Sequence, residues 1–435
     1  MVPNGWEWTN LGKLANKVGS GVTPKGGSSS YKSSGIPLIR SQNVLWGTLD
    51  LKDVAFIDDV QHEKMKGSIV CKGDVLLNIT GASIGRAAVS NLDVANVNQH
   101  VCIIRSDKLD PEFLRDFLLS FNGQKQIEQF QAGGNRQGLN FEQIKSFKLP
   151  LPPLPEQRKI ATILGTWDNA ISTTERLIDS SKQQKKALMQ QLLTGRKRLI
   201  HSENDGFSVR EGFAKAKLGE LPNDWNVCLL SEFYWYQEGP GVRRHQFTTS
   251  GVKLFNGTNI QNSRINLFNT ETHVSSEEAE GPYSHFLADA GDLVIACSGI
   301  SVDKFDEKIA FIKEEHLPLC MNTSTMRFKV KEDEKACLTF LQYFMMSPLF
   351  KNQIRRQITG SAQLNFGPSH VGKCFIAMPS LAEQKKISTL LSLADDEIDI
   401  LEKQLADLKQ EKKALMQQLL TGKRRVKINN KECVA

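Results

Sequence analysis

The chain repeats itself, and this repeat constrains its fold more than any other feature of the sequence. The segment from Pro152 to Gly195 returns as Pro379 to Gly422 at a constant offset of 227, without a gap and with 24 of 44 positions identical. Weaker echoes lie upstream, among them GLNF at Gly138 against QLNF at Gln363. Because self-similarity at a fixed spacing indicates repeated structure, the 435 residues are interpreted as two copies of one unit.

The matched segments have the periodicity of two long helices. In the second copy the seam positions follow alternating steps of four and three from Ile387 to Leu419, and the first copy fills the same positions from Ile160 to Leu192. Ser380 and Glu383 form an S-x-x-E capping box at the start of the second segment. The residues expected to pack along the seam are Ile160, Leu164, Ile171, Leu188, Leu391, Ile398, Leu405 and Leu415.

The ends of these helices predict how they pair. Gly195 and Gly422 stand where a left-handed C-terminal cap belongs, so each helix has about 40 residues and a length of about 60 Å. The compact domain of ~180 residues that joins them has a radius of gyration near ~16 Å, too small for its termini to span a parallel pair. The helices should therefore run antiparallel, with a β-rich domain at each end and a pseudo-two-fold axis between them.

The globular halves read as mixed β-rich domains. Strand-like runs such as DVLLNIT and GDLVIACSG alternate with turn-forming segments, and each half then has one helical stretch, PEFLRDFLLSFNGQKQIEQF or LTFLQYFMMSPLFKNQIRRQI. The predicted class is α+β: two β-rich mixed domains and an antiparallel coiled coil. The predicted segments are a first domain at 1–150, a first long helix at 151–200, a second domain at 201–378, a second long helix at 379–425 and a tail at 426–435.

Motifs for catalysis are missing from the sequence. There is no Walker A loop, no G-x-G-x-x-G after a strand, and no N-P-P-[YF] tetrapeptide of the kind that an amino methyltransferase places beside a flipped base. The eight cysteines form no C-x-x-C pair, so we expect free thiols and no metal. The acidic run Asp395 to Glu397 is interpreted as a solvated helix face. Without a secretion signal or a long apolar run, the chain is expected to be cytoplasmic.

The duplicated motifs resemble a known family. P-L-P-E-Q-R-K-I opens the first helix, A-L-M-Q-Q-L-L-T-G closes both, and a variable domain precedes each helix. This arrangement resembles the specificity subunit of type I restriction-modification systems over essentially the whole chain. The resemblance implies that the two domains are target recognition domains, each reading one half of a bipartite DNA sequence, and that the helices fix the length of the unread spacer.

The resemblance also implies the partners of the chain. Two modification subunits would dock by symmetry and methylate an adenine in each half-site with S-adenosylmethionine. Two restriction subunits would add translocation and cleavage that depend on ATP and Mg²⁺. The chain itself would be a non-catalytic DNA-recognition subunit without a cofactor of its own. The second domain departs from the usual basic character of DNA-binding modules, because its net charge is −3 and it has an acidic run from Glu277 to Glu280.

Residues that could read bases are concentrated in loops. Arginine suits guanine, and asparagine or glutamine suits adenine in the major groove, whereas lysines are better suited to phosphates. The candidates are Lys25, Arg40, Gln42, Asn43, Arg86, Arg136 and Gln137 in the first domain, and Arg243, Arg244, His245, Asn256, Asn259 and Gln363 in the second. Further basic candidates lie in 353–356. The triplets 196–198 and 423–425 either contact the spacer backbone or complement the helix dipoles.

Two other functions are compatible with the sequence. One is a stand-alone, sequence-specific DNA-binding coiled-coil protein without enzyme partners. The other is an undetected nuclease or methyltransferase, against which the missing N-P-P-[YF] motif argues. Co-purification of a methyltransferase would distinguish a subunit from an independent binder, and methylation by the isolated chain would establish the enzyme.

Overall fold

The computed structural model describes residues 2–131, 138–199, 212–357 and 365–428. They form two compact units, one made of Met1–Leu177 and Leu401–Ala435 and the other of Ile178–Ile400. Each unit thus contains one β-rich domain and a portion of both long helices. The chosen class, α+β with two long helices, is confirmed.

The first unit is built on two four-stranded sheets and a two-stranded ribbon. Its strands are β1 (Glu7–Asn10), β2 (Lys17–Ser20), β3 (Ile36–Ile39), β4 (Ala55–Ile57), β5 (Ile69–Val70), β6 (Val75–Asn78), β7 (Ala87–Val89), β8 (Ala95–Val97), β9 (Val101–Arg105) and β10 (Lys148–Leu151). One sheet has the order β2-β9-β6-β7 and is antiparallel, and the other has the order β4-β3-β8-β5 with β3 and β8 parallel. β1 pairs with β10.

Within its described residues, the first unit has four short α-helices and the start of a long one. They are α1 (Asp59–Lys64), α2 (Pro111–Leu119), α3 (Phe121–Gln131), α4 (Phe141–Lys145) and the 40-residue α5 (Leu154–Leu193), which continues into the second unit. Strand β6 is buried at all four positions, as expected for a continuous apolar run in the middle of a sheet.

The second unit repeats this plan. Its strands are β11 (Phe213–Ala216), β12 (Gly219–Pro222), β13 (Asn226–Leu229), β14 (Tyr234–Glu238), β15 (Val252–Phe255), β16 (Ile260–Gln261), β17 (Arg264–Ile265), β18 (His273–Val274), β19 (Leu293–Ala296), β20 (Ile309–Phe311), β21 (Leu319–Met321), β22 (Thr325–Val330) and β23 (Phe375–Met378). The sheet β14-β22-β19-β20 corresponds to β2-β9-β6-β7, and the parallel pair β15-β21 corresponds to β3-β8. Its helices are α6 (Leu230–Phe233), α7 (Ser276–Glu280), α8 (Leu338–Met346), α9 (Pro348–Gln357), α10 (Pro368–Val371) and α11 (Leu381–Leu419).

One prediction about the helices was wrong. The stretch after each sheet forms two helices instead of one, because Ser120 and Ser347 leave the helical conformation with extended ψ angles of 163° and 158°. The Ser120 hydroxyl donates to the carbonyl of Phe117 at 2.7 Å, and the Ser347 hydroxyl donates to that of Phe344 at 2.6 Å. Proline at position 348 reinforces the second break, since the residue before proline avoids the helical region.

Each core joins a domain to both long helices. In the first unit, Phe113 and Phe117 of α2 share one hydrophobic cluster with Ile160 of α5 and Leu419 of α11. In the second unit, Phe340 and Phe344 of α8 cluster with Leu192, Ile387 and Leu391, from the opposite ends of the same two helices. Within each unit the helix portions therefore run antiparallel, as predicted.

The seam residues vary in burial along the helices. Ile160, Leu164, Leu391 and Ile398 are buried, whereas Ile171, Leu188, Leu405 and Leu415 are half-buried. The predicted capping box forms only in part. The Ser380 hydroxyl accepts from the backbone N–H of Glu383 at 3.3 Å, but the Glu383 carboxylate turns away to Arg198.

Candidate nucleic-acid interface

Five segments of the first domain meet at one edge of its two sheets. They are linked by backbone hydrogen bonds: Asn98 N–H donates to Ile39 at 3.1 Å, Gly21 to Asn98 at 3.2 Å, Ile79 to His100 at 3.0 Å and Leu139 to Ile79 at 2.9 Å. We call this set the first loop cluster and define it as residues 21–25, 40–43, 79–81, 98–100 and 138–140. Backbone hydrogen bonds thus connect the strand ends and turns whose side chains belong to this cluster.

The second domain has a matching set. Asn322 N–H donates to Phe255 at 3.0 Å, Gly239 to Thr325 at 3.1 Å, Cys297 to Ser324 at 2.9 Å and Phe366 to Cys297 at 3.0 Å. The second loop cluster is defined as residues 239–245, 256–259, 297–299, 322–324 and 365–367. Each segment follows or precedes the strand that corresponds to its counterpart in the first cluster.

A glycine anchors one loop in each cluster. A Cβ atom on Gly21 would lie 1.6 Å from the carbonyl oxygen of Val97, and one on Gly239 would lie 2.5 Å from the backbone of Asn322. No side chain fits at either position. The loop that carries Lys25 is therefore held against its sheet in the same way as the loop that carries Arg243 and Arg244.

The described candidate residues of the first domain differ in their exposure to solvent. Lys25 and Gln42 are exposed, and Arg86 is half-buried at the turn before β7. Arg40 is half-buried: its guanidinium donates to the Asp53 carbonyl at 2.7 Å and lies 5.5 Å from the ring centroid of Tyr31. Asn43 is buried, and Arg136 and Gln137 lie outside the described residues.

Asn43 holds a turn together. It is 2% exposed, its Oδ1 accepts from the backbone N–H of Arg40 at 3.0 Å, and its Nδ2 donates to the carbonyl of Asp50 at 2.9 Å. Asn259 repeats the arrangement, with Oδ1 accepting from the N–H of Asn256 at 2.9 Å and Nδ2 donating to Asn266. These amides are engaged by their own domains, so they shape the turns that present their neighbours.

The other candidates of the second domain are more accessible. Arg243, Arg244 and His245 are all exposed on the loop after β14. Asn256 is half-buried, and its Oδ1 accepts from Nδ2 of Asn322 at 2.8 Å. Gln363 lies outside the described residues.

Residues 353–356 and the acidic run of the second domain each include a side chain that is hydrogen-bonded within the domain. Gln353 is tied to β23, because its Nε2 donates to the Phe375 carbonyl at 2.8 Å and its Oε1 accepts from the Phe375 N–H at 2.7 Å. Arg355 and Arg356 on the same helix are exposed. The acidic run of the second domain lies on α7, where Glu278 accepts from Gln246 at 2.8 Å.

A carboxyl group precedes the loop that carries the exposed arginines of the second cluster. Glu238 ends β14 and immediately precedes the loop 239–245, and burial raises the pKa of its carboxyl above the ordinary value. The neighbouring Cys297 is buried, and burial raises the pKa of its thiol to about 12, so this cysteine is not a reactive thiolate.

Sequence reasoning missed several exposed or half-buried polar residues of the two clusters. They are Thr23, Thr80, Gln99 and His100 in the first, and Ser298, Thr323 and Asn365 in the second. The repeat gives only part of the signal, because corresponding loop residues of the two domains lie between 216 and 227 positions apart. Leu139 and Phe366, which are 227 apart, make equivalent hydrogen bonds, so the GLNF and QLNF echo at an offset of 225 is two residues out of structural register.

The basic triplets after the long helices divide by position. Arg196 and Lys423 are exposed, but the third residue of each triplet forms an ion pair within its own unit. Arg198 donates to Glu383 at 2.6 and 2.8 Å, and Arg425 donates to Glu156 at the same two distances. Each of these two arginines ties the end of one long helix to the start of the other within its unit.

A second pair of polar contacts lies at equivalent seam positions. Lys185 binds Asp395 in the second unit, and Lys412 binds Asp168 in the first. The Asp395 carboxylate also accepts from the Tyr343 hydroxyl at 2.8 Å. Asp396 and Glu397 are exposed, as expected for a solvated helix face, whereas Asp395 is half-buried and makes these two contacts.

Two absences concern only the described ranges. Among those residues, no three or more His, Cys, Asp or Glu side chains are grouped to hold a metal ion. Nor does any helix within those ranges combine the length and apolarity needed to cross a membrane.

The fold and the paired loop clusters define a class: a duplicated α+β protein with two loop-bearing β-rich domains and paired long helices. The family model described as the type I restriction modification DNA specificity domain matches residues 3–181 and 222–410. The chain belongs to this family.

Curated relatives and solved structures are similar along much of the chain. The MjaVIII specificity subunit of a type I restriction enzyme from Methanocaldococcus jannaschii is 31% identical over 65% of this chain and 64% of its own length. The putative MjaX specificity subunit of the same organism is 26% identical over 98% of this chain and 95% of its own length. A chain from a solved type I R-M system has a TM-score of 0.58 at 16% identity, covering 98% of this chain and 100% of that one.

A second solved structure has the same fold. The S subunit of a type I restriction-modification system from M. genitalium has a TM-score of 0.56 at 13% identity, and the match covers 98% of this chain and 97% of that one. At these identities the structures bear on the fold alone.

Proposed function

We propose that this chain is the sequence-reading subunit of a type I restriction-modification complex and reads a bipartite, asymmetric DNA site with a fixed unread spacer. The observation that carries the proposal is the duplication of one loop cluster, with exposed basic and amide side chains on corresponding loops of two domains. Each cluster would read one half-site. Because the side chains of the two clusters differ, the two half-sites would differ in sequence.

The exposed side chains divide the work of recognition. Arg243 and Arg244 can each offer two parallel N–H donors, which suit the N7 and O6 acceptors of guanine in the major groove. Lys25 of the first cluster can neutralise phosphates, as can Arg86, which is half-buried at the turn before β7; such contacts fix register without reading sequence. Arg136, Gln137 and Gln363, which lie outside the described residues, remain proposed readers.

The long helices supply the spacer and the platform for partners. Leu393 and Ile400, one heptad apart on α11, are exposed large apolar side chains on the side of the helix away from its seam. Exposed apolar side chains at this spacing suit a partner helix. Two modification subunits, which are N6-adenine methyltransferases using S-adenosylmethionine, would dock by symmetry on the paired long helices, and two restriction subunits using ATP and Mg²⁺ would join them. The chain contributes recognition and assembly, without catalysis.

The proposal is tested by selection from a random pool of duplexes. The full chain is purified with a candidate modification subunit, and bound duplexes are sequenced at a stated salt concentration, because phosphate contacts make affinity depend on salt. We expect two short, unlike conserved blocks at one constant distance. Enrichment of a single block, or of none, would contradict the proposal.

Variants assign the blocks to the clusters. Arg243→Ala should relax one base position of one block by about 1–3 kcal/mol, whereas Lys25→Ala should weaken all sequences about equally. Lys403→Ala, an exposed lysine of α11, is the matched control for Lys25→Ala. The alternative of a stand-alone DNA-binding protein predicts full selectivity without a co-purifying methyltransferase.

A further inference from the structure

Gln99 is an exposed residue whose side chain is nevertheless held from two sides. The Thr23 hydroxyl donates to its Oε1, and its Nε2 donates to Nε2 of His100 at 3.1 Å. Nδ1 of His100 in turn donates to the Thr80 hydroxyl oxygen at 2.5 Å. Since Thr23 and Thr80 belong to two other segments of the first loop cluster, three loops fix the plane of one surface amide.

The hydrogen bonds of Gln99 leave one donor and one acceptor site of its amide unused. A primary amide has two donor hydrogens and two acceptor lone pairs. Thr23 and His100 use one of each, so one N–H and one lone pair remain on this exposed residue. This pair matches the N7 acceptor and the N6 donor that adenine presents in the major groove. Because the amide is already ordered, little side-chain entropy is lost when it binds.

Asn365 in the second cluster is held differently. It is exposed, and its Oδ1 accepts from the Ser298 hydroxyl at 2.9 Å and from the backbone N–H of Gly299 at 2.8 Å. Both lone pairs are used, so only the two hydrogens of Nδ2 remain. A donor-only group suits guanine, which presents two acceptors, N7 and O6, or thymine O4; adenine presents N7 alone, and the amino groups of adenine and cytosine need an acceptor.

We propose that Gln99 and Asn365 are specificity-determining residues, with Gln99 reading an adenine in one half-site and Asn365 reading a guanine or thymine edge in the other. The inference rests on the proposed function, because it names which bases the two loop clusters select. Neither residue holds its own loop in the way Asn43 and Asn259 do, since each keeps hydrogen-bonding capacity on its exposed side.

The test uses the same selection from random duplexes with the full chain and its modification subunit. Gln99→Ala should reduce the preference for adenine at one position by roughly 5- to 150-fold and leave the other block unchanged. Gln99→Glu keeps an acceptor but loses both donors, so the preference at that position should move from adenine to cytosine, whose N4 amino group donates. Because both variants change an exposed side chain, each should remain folded, and its thermal unfolding should confirm this.

Asn365 is tested by the corresponding pair of variants. Asn365→Ala should reduce the preference for guanine or thymine at one position of the second block, again by roughly 5- to 150-fold. Asn365→Asp still accepts from Ser298 and Gly299 but donates nothing, so it should lose the same preference. Gln410→Ala and Asn226→Ala, exposed residues on α11 and β13, are the matched controls and should leave both blocks unchanged.

The outcomes separate this inference from the proposed function. If the wild-type chain selects two blocks but the variants of Gln99 and Asn365 keep every base preference, or lose affinity for all sequences alike, the inference is wrong and the proposed function stands. If the wild-type complex selects no sequence, both are wrong. A change confined to one position in the expected block supports both.

Discussion

The two units use the same ion pair in different surroundings. In the second unit Arg198 is 5% exposed and also donates to Asp224 at 2.9 Å through both terminal nitrogens. In the first unit Arg425 is 43% exposed and its further contact is the backbone carbonyl of Asn4 at 2.8 Å. The duplication has preserved the pairing of arginine with glutamate, while the number of carboxylates and the burial have diverged.

The tryptophans beside these arginines also differ between the units, in whether Nε1 donates to the glutamate. In the first unit Trp6 donates from Nε1 to Glu156 at 2.9 Å, so that carboxylate has a second partner. In the second unit no described residue accepts from Nε1 of Trp225, although Trp225 lies under Arg198. The comparison teaches that the glutamate is kept satisfied in both units, by an arginine with a tryptophan in one and by a doubly paired arginine in the other.

The largest expected effect on the free energy of unfolding comes from replacing the two arginines. Arg198→Ala should lower the free energy of unfolding by about 3–5 kcal/mol, because it leaves Glu383 buried without its cation and removes the hydrogen bonds that Arg198 donates to Asp224. Arg425→Ala should cost only ~1–2 kcal/mol, since Glu156 keeps the hydrogen bond from Trp6. Chemical denaturation gives the totals, and hydrogen exchange in the first turns of α11 and α5 assigns them to a unit.

Each arginine has a neighbour that serves as its control. Arg196→Ala and Lys423→Ala change exposed residues of the same triplets and should stay within about 0.5 kcal/mol of the wild type. Equal losses for Arg198→Ala and Arg425→Ala would show that the second carboxylate and the tryptophan do not matter.

The helix seam provides the next test. Leu164 and Leu391 occupy the same position of the repeat and are both 0% exposed, so replacing either by alanine should cost about 2–5 kcal/mol. We expect the two losses to be similar, because both leucines belong to the core that joins a domain to the helices. Leu393→Ala, at an exposed position of α11, should change the unfolding free energy by less than ~0.5 kcal/mol. Urea titration measures all three, and a much smaller loss for Leu164→Ala would break the equivalence of the units.

The units also differ in their response to pH. Asp116 of α2 is buried, and burial raises the pKa of its carboxyl to about 6, whereas Tyr343 stands at the corresponding position of α8. The folded state then binds the proton more tightly than the unfolded state, so stability from this group is present below about pH 4 and is lost as the pH rises to about 6. The loss should be of order 3 kcal/mol.

Asp116→Asn tests this dependence. Its unfolding free energy should fall less than that of the wild type between pH 4 and pH 7, as measured by urea titration at both values. Asp93→Asn, which changes an exposed carboxylate of the same unit, should follow the wild type. An identical pH dependence for wild type and Asp116→Asn would refute the assigned role of burial.

The smallest effect concerns the helix ends. Gly195 and Gly422 have φ angles of +66° and +73°, and an added Cβ would lie 2.3 Å from Pro222 and 2.5 Å from Pro3, respectively. Gly195→Ala and Gly422→Ala should each cost about 1–2 kcal/mol from the left-handed conformation, with a further contribution from the close contact. Gly165→Ala, in the middle of α5 with open space around it, should instead stabilise by ~1 kcal/mol. Thermal unfolding compares the three, and stabilisation by Gly195→Ala would contradict the capping geometry.

The helices were predictable because one physical signal governs them. A heptad seam, a start signal and a glycine at each end predicted helices of about 40 residues, and α5 and α11 have 40 and 39. Buried strands such as β6 were predictable for the same reason, since apolar runs of strand length have few other uses.

The loops were harder because the same residue type serves two purposes. Asn43 and Gln42 are adjacent in the sequence, yet one is buried as the holder of a turn and the other is exposed. Arg198 and Arg243 are both arginines beside a second basic residue, yet one is buried in an ion pair within its unit. Sequence identifies the chemistry of a side chain, whereas its direction depends on partners that are distant along the chain.

The central claim is that two corresponding loop clusters read two unlike half-sites. Long-read methylome sequencing of a host that expresses this chain with an active modification subunit tests it most directly, with a host lacking this chain as the control. The account predicts new methyladenine within two short, unlike blocks separated by a constant unread gap, and a change in only one block when Arg243 and Arg244 are replaced by alanine. An unchanged methylation pattern despite a soluble, active complex would contradict the account.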